Sequence, residues 1–295
     1  MPSLKEFRNR IDSVKSTSKI TKAMQMVAAA KLRKAQEAAE AAKPYASRMA
    51  AVVANLSSSM LDRPGAPELL IGRGTDETHL IIVATADRGL CGGFNTTIVR
   101  KARERIVELE RDGKAVKLLC VGRKGYDQLR RLYADKIVDV ISLRDVKVLT
   151  AREAAMIADK AREMFESGAV DVVEIAYAEF VNVITQTPKV QTLLPAAKSI
   201  DPDAPGPDLQ GAAYEYEPDE EEILSVLLPR NLTTQVFNAL LQNSAGEQGA
   251  RMSAMDNATR NAGEMIDKLS IEYNRKRQAN ITKELIEIIS GAEAL

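Results

Sequence analysis

The chain has 295 residues, 41 basic and 41 acidic side chains, 45% hydrophobic and 4% aromatic content, and no tryptophan. That apolar fraction builds a core and excludes a disordered chain, while a formal net charge of zero removes the global attraction to nucleic acid. Two cysteines, Cys91 and Cys120, and one histidine, His79, are too few for a disulfide framework or a metal cluster, and no run approaches the roughly 20 apolar residues that span a bilayer.

Ser3 and Glu6 carry the capping-box spacing of a helix start. Leu4, Phe7, Ile11 and Val14 follow at coiled-coil intervals, and Ile20, Met24, Val27 and Ala30 are expected to resume the stripe after a polar turn. The first segment, 1–58, holds no glycine and one internal proline, Pro44. A helix of that length spans on the order of 80 Å and needs a partner to cover its stripe. Residues 1–50 carry eleven basic and four acidic side chains, which suits a solvated face as well as an acidic partner or membrane surface.

Residues 79–85, 116–121 and 137–142 read as strands separated by helical patterns over 94–111 and 124–133. Thr150 with Glu153 caps a further helix to about Glu166, and 171–180 and 183–194 read as two more strands. The alternation predicts a Rossmann-like α/β domain over 76–200, a doubly wound, mostly parallel sheet closing on an antiparallel pair. Residues 201–222 hold nine acidic side chains, no basic ones and four of the eleven prolines, so 201–218 reads as an acidic linker.

Asp219 and Glu222 give another cap, and Pro229, tolerated in a first turn, predicts a break between helices there. The stripe then runs through Leu232, Val236, Leu240, Met252, Met255, Ala262, Ile266, Leu269, Tyr273, Ile281, Leu285 and Ile288. Gly246, Gly249 and Gly263 cost about 1 kcal/mol each against alanine in a helix, and Asn257, Thr259, Asn261 and Asn280 add polar positions. Segments 1–58 and 219–295 are therefore expected to pair antiparallel as a coiled coil not optimised for stability, a shaft with the α/β domain as its foot.

The turn ADRGLCGGFN (86–95) stands between a strand and a helix, where backbone amides can cradle phosphate. Its glycine spacing matches neither the dinucleotide fingerprint nor the P-loop, and a structural turn is the simpler reading. Cys91 has no activating histidine or lysine nearby, His79 reads as a strand-edge residue, and Glu220 and Glu221 sit in a connector without a pocket. No catalytic constellation, cofactor site or metal site emerges.

KITKAMQMVAAAKLRKAQ (19–36), ADRGLCGGFN, LLP (193–195), YEYEPD (214–219), SAGEQGARMSAMDNATRNA (244–262) and RQANITKELIEIISGA (277–292), in this order, resemble the signatures of the γ subunits of F-type ATP synthases across essentially the whole chain. The resemblance implies a non-catalytic rotor shaft that couples proton translocation to ATP synthesis or hydrolysis. Its partners would be the ring of three α and three β subunits, the ε subunit and the membrane c-ring, without nucleic acid and without a membrane span of its own. A lopsided shaft cannot match all β subunits at once, so it would favour a different conformation in each. The resemblance further implies that Lys22, Ala23 and Met24 form a neck against the β-subunit lever, and that Arg277, Gln278, Thr282 and Glu284 belong to an opposed C-terminal segment used in coupling. Tyr214, Tyr216 and Glu217 would face ε and the c-ring, and Ile288, Ile289, Ala292 and Leu295 would form the bearing tip. The implied location is peripheral, on the cytoplasmic face of a bacterial inner membrane, or the matrix side for a processed mitochondrial chain. Cys91 and Cys120 do not reproduce the regulatory dithiol insertion of chloroplast members. A nucleotide-dependent enzyme and a static coiled-coil adaptor are the competing readings.

Overall fold

A computed structural model describes residues 3–60, 66–199 and 219–293. Helix α1 (Leu4–Met60) opens on the expected capping box: the Ser3 amide donates to Glu6 Oε2 at 2.7 Å and the Glu6 amide to Ser3 Oγ at 3.2 Å. A short helix α2 (Glu68–Ile71) leads to strand β1 (Thr78–Ala84), followed by α3 (Phe94–Arg111), β2 (Ala115–Val121), α4 (Arg123–Tyr133) and β3 (Ile137–Ile141). Then come α5 (Ala151–Glu166), with Thr150 and Glu153 completing a capping box, β4 (Val172–Phe180), β5 (Gln186–Leu194) and α6 (Glu220–Glu293).

The five strands form one mixed sheet in the order β3-β2-β1-β4-β5, parallel except for the antiparallel β4–β5 pair. Central β1 is apolar on both faces because both are covered. Leu80, Ile82 and Ala84 pack with Ile157, Ala161 and Phe165 of α5 and with Leu232, Val236 and Leu240 of α6, while Ile81 and Val83 pack with Ile98, Ala102 and Ile106 of α3.

Helix α6 does not break at Pro229: it is continuous over 74 residues from its cap, where the Glu222 amide donates to Asp219 Oδ1 at 2.8 Å. A proline inside a helix costs about 3 kcal/mol. Leu224, Leu228 and Leu232 are buried on either side of it and hold the helix on course, and the carbonyl that loses its donor belongs to exposed Ser225. The first half of α6 therefore serves as a sheet-covering layer as well as a coil strand.

Helices α1 and α6 run antiparallel along one register. Arg8 Nη2 donates to Tyr273 Oη at 3.0 Å, the hydroxyls of Thr21 and Thr259 lie 2.7 Å apart in a hydrogen bond, and Gln25 Nε2 donates to Asp256 Oδ1 at 2.9 Å. Further down, Met49, Val53, Leu56 and Met60 cluster with Leu224 and Leu228. Heptad positions define the seam: Phe7, Thr21 and Ala28 on α1, with half-buried Val14 between them, and Leu241, Gln248, Met255, Ala262 and Leu269 on α6 are buried at seven-residue steps or a multiple.

The expected stripe through Ile20, Val27 and Ala30 is corrected by this register, since all three are exposed. Between Val14 and Ala28 the seam is polar, made of half-buried Ser18, buried Thr21 and half-buried Gln25, so hydrophobicity alone picks the wrong phase. Replacing both Thr21 and Thr259 with valine is expected to stabilise the isolated chain by up to about 1 kcal/mol, because a hydrogen-bonded pair exchanged for two apolar groups of the same shape leaves nothing unsatisfied between them. A urea midpoint that falls in the double variant would contradict this.

Candidate functional site

The neck is built inside out. Its seam is polar, yet Ile20, Met26 and Val27 stand on the outer surface at 61, 66 and 57% exposure. Lys22 is exposed and donates to Gln25 Oε1 at 3.1 Å, Ala23 is exposed, and Met24 is half-buried beside the seam, so one side chain can serve core and surface together. Acidic compensation is sparse here; Asp256 of α6 accepts from Gln25.

Arg277, Gln278, Thr282 and Glu284 are all exposed on α6 but do not oppose the neck. Thr21 faces Thr259, and Arg277 lies some 18 residues further along, about 27 Å at 1.5 Å per residue. The resemblance-based expectation that these residues stand opposite Lys22 to Met24 is thus corrected: α6 brings Arg277 level with the first turn of α1 instead.

Beyond that turn α6 continues without a partner helix among the described residues. Ile281, Leu285, Ile286, Ile288 and Ile289 are 50–70% exposed, and Ala292 is exposed as well. An apolar end of this kind on a single helix marks a surface made for another body. Leu295, and the foot residues Tyr214, Tyr216 and Glu217, lie outside the described residues.

Asp87 and Asn95 of the 86–95 turn spend their side chains within the fold. Asn95 Oδ1 accepts from the Ala86 amide at 2.8 Å and Asn95 Nδ2 donates to Cys91 Sγ at 3.2 Å. Asp87 Oδ1 accepts from the Arg123 amide at 3.0 Å and from Ser142 Oγ at 2.9 Å, and Asp87 Oδ2 accepts from the Leu143 amide at 2.8 Å. The first amides of α4 are thus already spent, that of Arg123 on the Asp87 carboxylate, that of Lys124 on the Ala86 carbonyl and that of Gly125 on Thr85 Oγ1. Burial raises the pKa of the Cys91 thiol above its ordinary value and pushes that of Cys120 up to about 12, the opposite of an activated nucleophile.

His79 is not a strand-edge residue. It is buried at the start of β1, its Nε2 lies 2.7 Å from Asp76 Oδ1 and its Nδ1 lies 3.7 Å from Glu174 Oε2. Arg105 of α3 reaches Glu174 through Nη2 at 2.7 Å and Nε at 3.1 Å. Lys114 Nζ, at 2.8 Å from Asp76 Oδ2, extends the cluster, which ties α3 and the strand β1 entry to β4. Asp76 is partly desolvated, which favours its neutral form, but hydrogen bonds from Lys114 and His79 prevail and hold its pKa down at about 2. Glu220 and Glu221 open α6, where carboxylates complement the helix dipole.

Sequence comparison matches residues 3–295 to the family described as ATP synthase. The "ATP synthase gamma chain" of Maricaulis maris is 63% identical over 295 residues and that of Parvibaculum lavamentivorans 62% identical over 296, each alignment covering both chains completely. Among solved structures, the central stalk and c-ring of the Tetrahymena thermophila mitochondrial ATP synthase matches at TM-score 0.60 and 28% identity, over 81% of this chain and 99% of that one. A chain of the Euglena gracilis mitochondrial enzyme shares the fold at TM-score 0.69 and 21% identity, covering 99% of this chain and 94% of that one. Two long terminal helices around a mixed sheet, a sequence alike from end to end and a central-stalk structure of the same build lead to one conclusion: the chain belongs to the ATP synthase gamma-chain family, a non-catalytic subunit that serves its complex as the rotor shaft.

Proposed function

We propose that this rotor shaft acts on the catalytic β subunits through its inside-out neck, the single observation that carries the reading. A coiled coil that only had to hold itself together would bury Ile20, Met26 and Val27 and expose Thr21 and Gln25; the reverse arrangement presents apolar side chains to a surrounding ring. Lys22, Ala23 and Met24 meet the β-subunit lever at this level. Arg277, Gln278, Thr282 and Glu284 act one storey higher, and the tip with Ile288, Ile289, Ala292 and Leu295 turns in an apolar sleeve formed by the ring of three α and three β subunits. A smooth, weakly adhesive contact suits rotation, because deep interlocking would raise the barrier between orientations.

In the same reading the chain divides into a coil strand over 1–58, a Rossmann-like foot over 76–200, an acidic linker over 201–218 and a second coil strand over 219–295. Tyr214, Tyr216 and Glu217 face the ε subunit and the c-ring, which places the foot peripherally at the cytoplasmic face of the bacterial inner membrane. Among the described residues no helix is long and apolar enough to cross a membrane.

Reconstituting α and β subunits with and without the chain tests this reading. Cooperative ATP hydrolysis is expected only with it, and undiminished cooperativity in its absence contradicts the proposal. Calorimetry of the isolated chain with ATP is expected to give no tight binding, whereas a nucleotide-dependent enzyme would bind. A reversible cross-link from the neck to a β subunit is expected to stop turnover, which a static adaptor would tolerate.

A further inference from the structure

We infer that residues 242–251 of α6 are the shaft-side end of the joint that keys the foot to the shaft, beyond the core contacts of Leu232, Val236 and Leu240, with Asn243, Gly246 and Arg251 as positioning residues for torque transmission. The inference rests on the rotor reading and adds where, within this chain, twist passes from one body to the other.

Strand β4 outruns its neighbour. The β1–β4 ladder ends at Val83 with Ala176, yet β4 continues to Phe180. The Ala178 and Phe180 amides are taken by α6: Ala178 N donates to Asn243 Oδ1 at 3.2 Å and Phe180 N to Gln242 Oε1 at 3.1 Å. Buried amides need such partners, and here the shaft helix supplies them where β1 stops.

One turn further along, α3 and β5 come close to the helix backbone at Gly246. A Cβ at Gly246 would lie 3.0 Å from Phe94 Cε2 and 3.3 Å from Gln186 Cγ, and one at Gly249 would lie 3.4 Å from Phe180 Cε2 and 3.5 Å from the Val183 backbone. Gly246 does more than weaken the coil: its cost of about 1 kcal/mol is offset by the fit of Phe94 and Gln186 against the helix backbone, whereas a Cβ at Gly249 would make ordinary contact with the hairpin. Arg251 closes the joint. It is ion-paired with Glu247 at 2.5 Å and its Nη2 donates to the Gly89 carbonyl at 3.2 Å, so the 86–95 turn holds the helix as well as the hairpin does.

Keying therefore comes from three kinds of contact within three helical turns: side-chain amides onto a strand, backbone against a hairpin and a guanidinium onto a turn. A rotation of α6 about its own axis would break all three at once. From Met255 onward α6 runs with α1, and no foot element is keyed into it in this way among the described residues.

The test uses the assembled complex with the neck cross-linked to one β subunit and a bead on the foot, and reads the angular variance of the bead. Gly246→Val, which wedges Phe94 away, and Asn243→Ala, which removes an acceptor without adding bulk, are each expected to raise the variance at least twofold while thermal stability of the purified chain stays high enough for assembly. ATP hydrolysis by the ring with an unloaded, uncross-linked shaft should be unchanged, whereas protons pumped per ATP in the membrane-bound complex should fall. Unchanged variance in both folded variants overturns the inference. Absence of ATP-driven rotation in the wild-type complex, measured before cross-linking, would instead overturn the rotor reading on which it rests.

Discussion

Arg105→Leu is expected to lower the unfolding free energy of the isolated chain by roughly 2–4 kcal/mol at neutral pH, because it leaves the buried Glu174 carboxylate without its half-buried partner. Glu174 lies within the sheet with its side chain 4% exposed, and Arg105 is the cation that bonds both of its oxygens. The sign of the pH dependence follows from the same geometry. Burial favours the neutral carboxyl, but the adjacent His79 ring and the Arg105 guanidinium outweigh it and hold the Glu174 carboxyl below the ordinary glutamate range. Because the folded value is depressed, this pair contributes fully above the unfolded glutamate value of about 4.3, and the contribution is lost as pH falls toward and through the folded value. In the variant the Arg105 contribution is lost while burial remains, so the folded value rises and protonation on acidification relieves the strain. Urea titrations at pH 7 and pH 4.5 should therefore show a large deficit that shrinks at the lower pH. A deficit under about 1 kcal/mol at pH 7, or one that grows on acidification, would contradict the assignment.

The second large effect concerns binding rather than stability. Replacing Ile281, Leu285, Ile288 and Ile289 together with glutamate should leave the isolated chain's stability within about 0.5 kcal/mol, since these side chains are at least half exposed. Seating in the ring should suffer instead. At about 1 kcal/mol for each half-exposed apolar side chain that the sleeve would finish burying, four replacements weaken association by roughly a thousandfold. Titration of labelled ring with the wild-type and variant chains measures this. A variant that unfolds earlier would mean that the tip packs on its own fold, and one that binds equally well would remove the sleeve from the account.

Elements whose own chemistry fixes them were legible in the amino-acid order. The Ser3–Glu6 and Thr150–Glu153 boxes start helices because the caps are local, and the strand containing Leu80 to Val83 declares itself by an apolar run that only a sheet covered on both faces can bury. What depended on a distant partner was not. The phase of α1 at the neck is set by Thr21 meeting Thr259, a hydroxyl pair that looks like a surface feature in isolation. Pro229 reads as a break unless the burial of Leu224, Leu228 and Leu232 is known. Gly246 and Gly249 read as weak points of a coil until Phe94 and Val183 are found against them. His79 reads as an edge residue because nothing local announces Asp76 and Glu174 converging on its ring. The neck and tip residues came from resemblance, and what the fold adds is the exposure of Lys22, Ala23, Ile288, Ile289 and Ala292 and the half-burial of Met24.

The most direct measurement is rotation itself. With the ring of α and β subunits fixed to a surface and a bead on the foot of the chain, saturating ATP should turn the bead in one direction, pausing three times per revolution as successive β subunits engage the neck. A bead that stays at a fixed angle while the same complexes hydrolyse ATP would contradict the account.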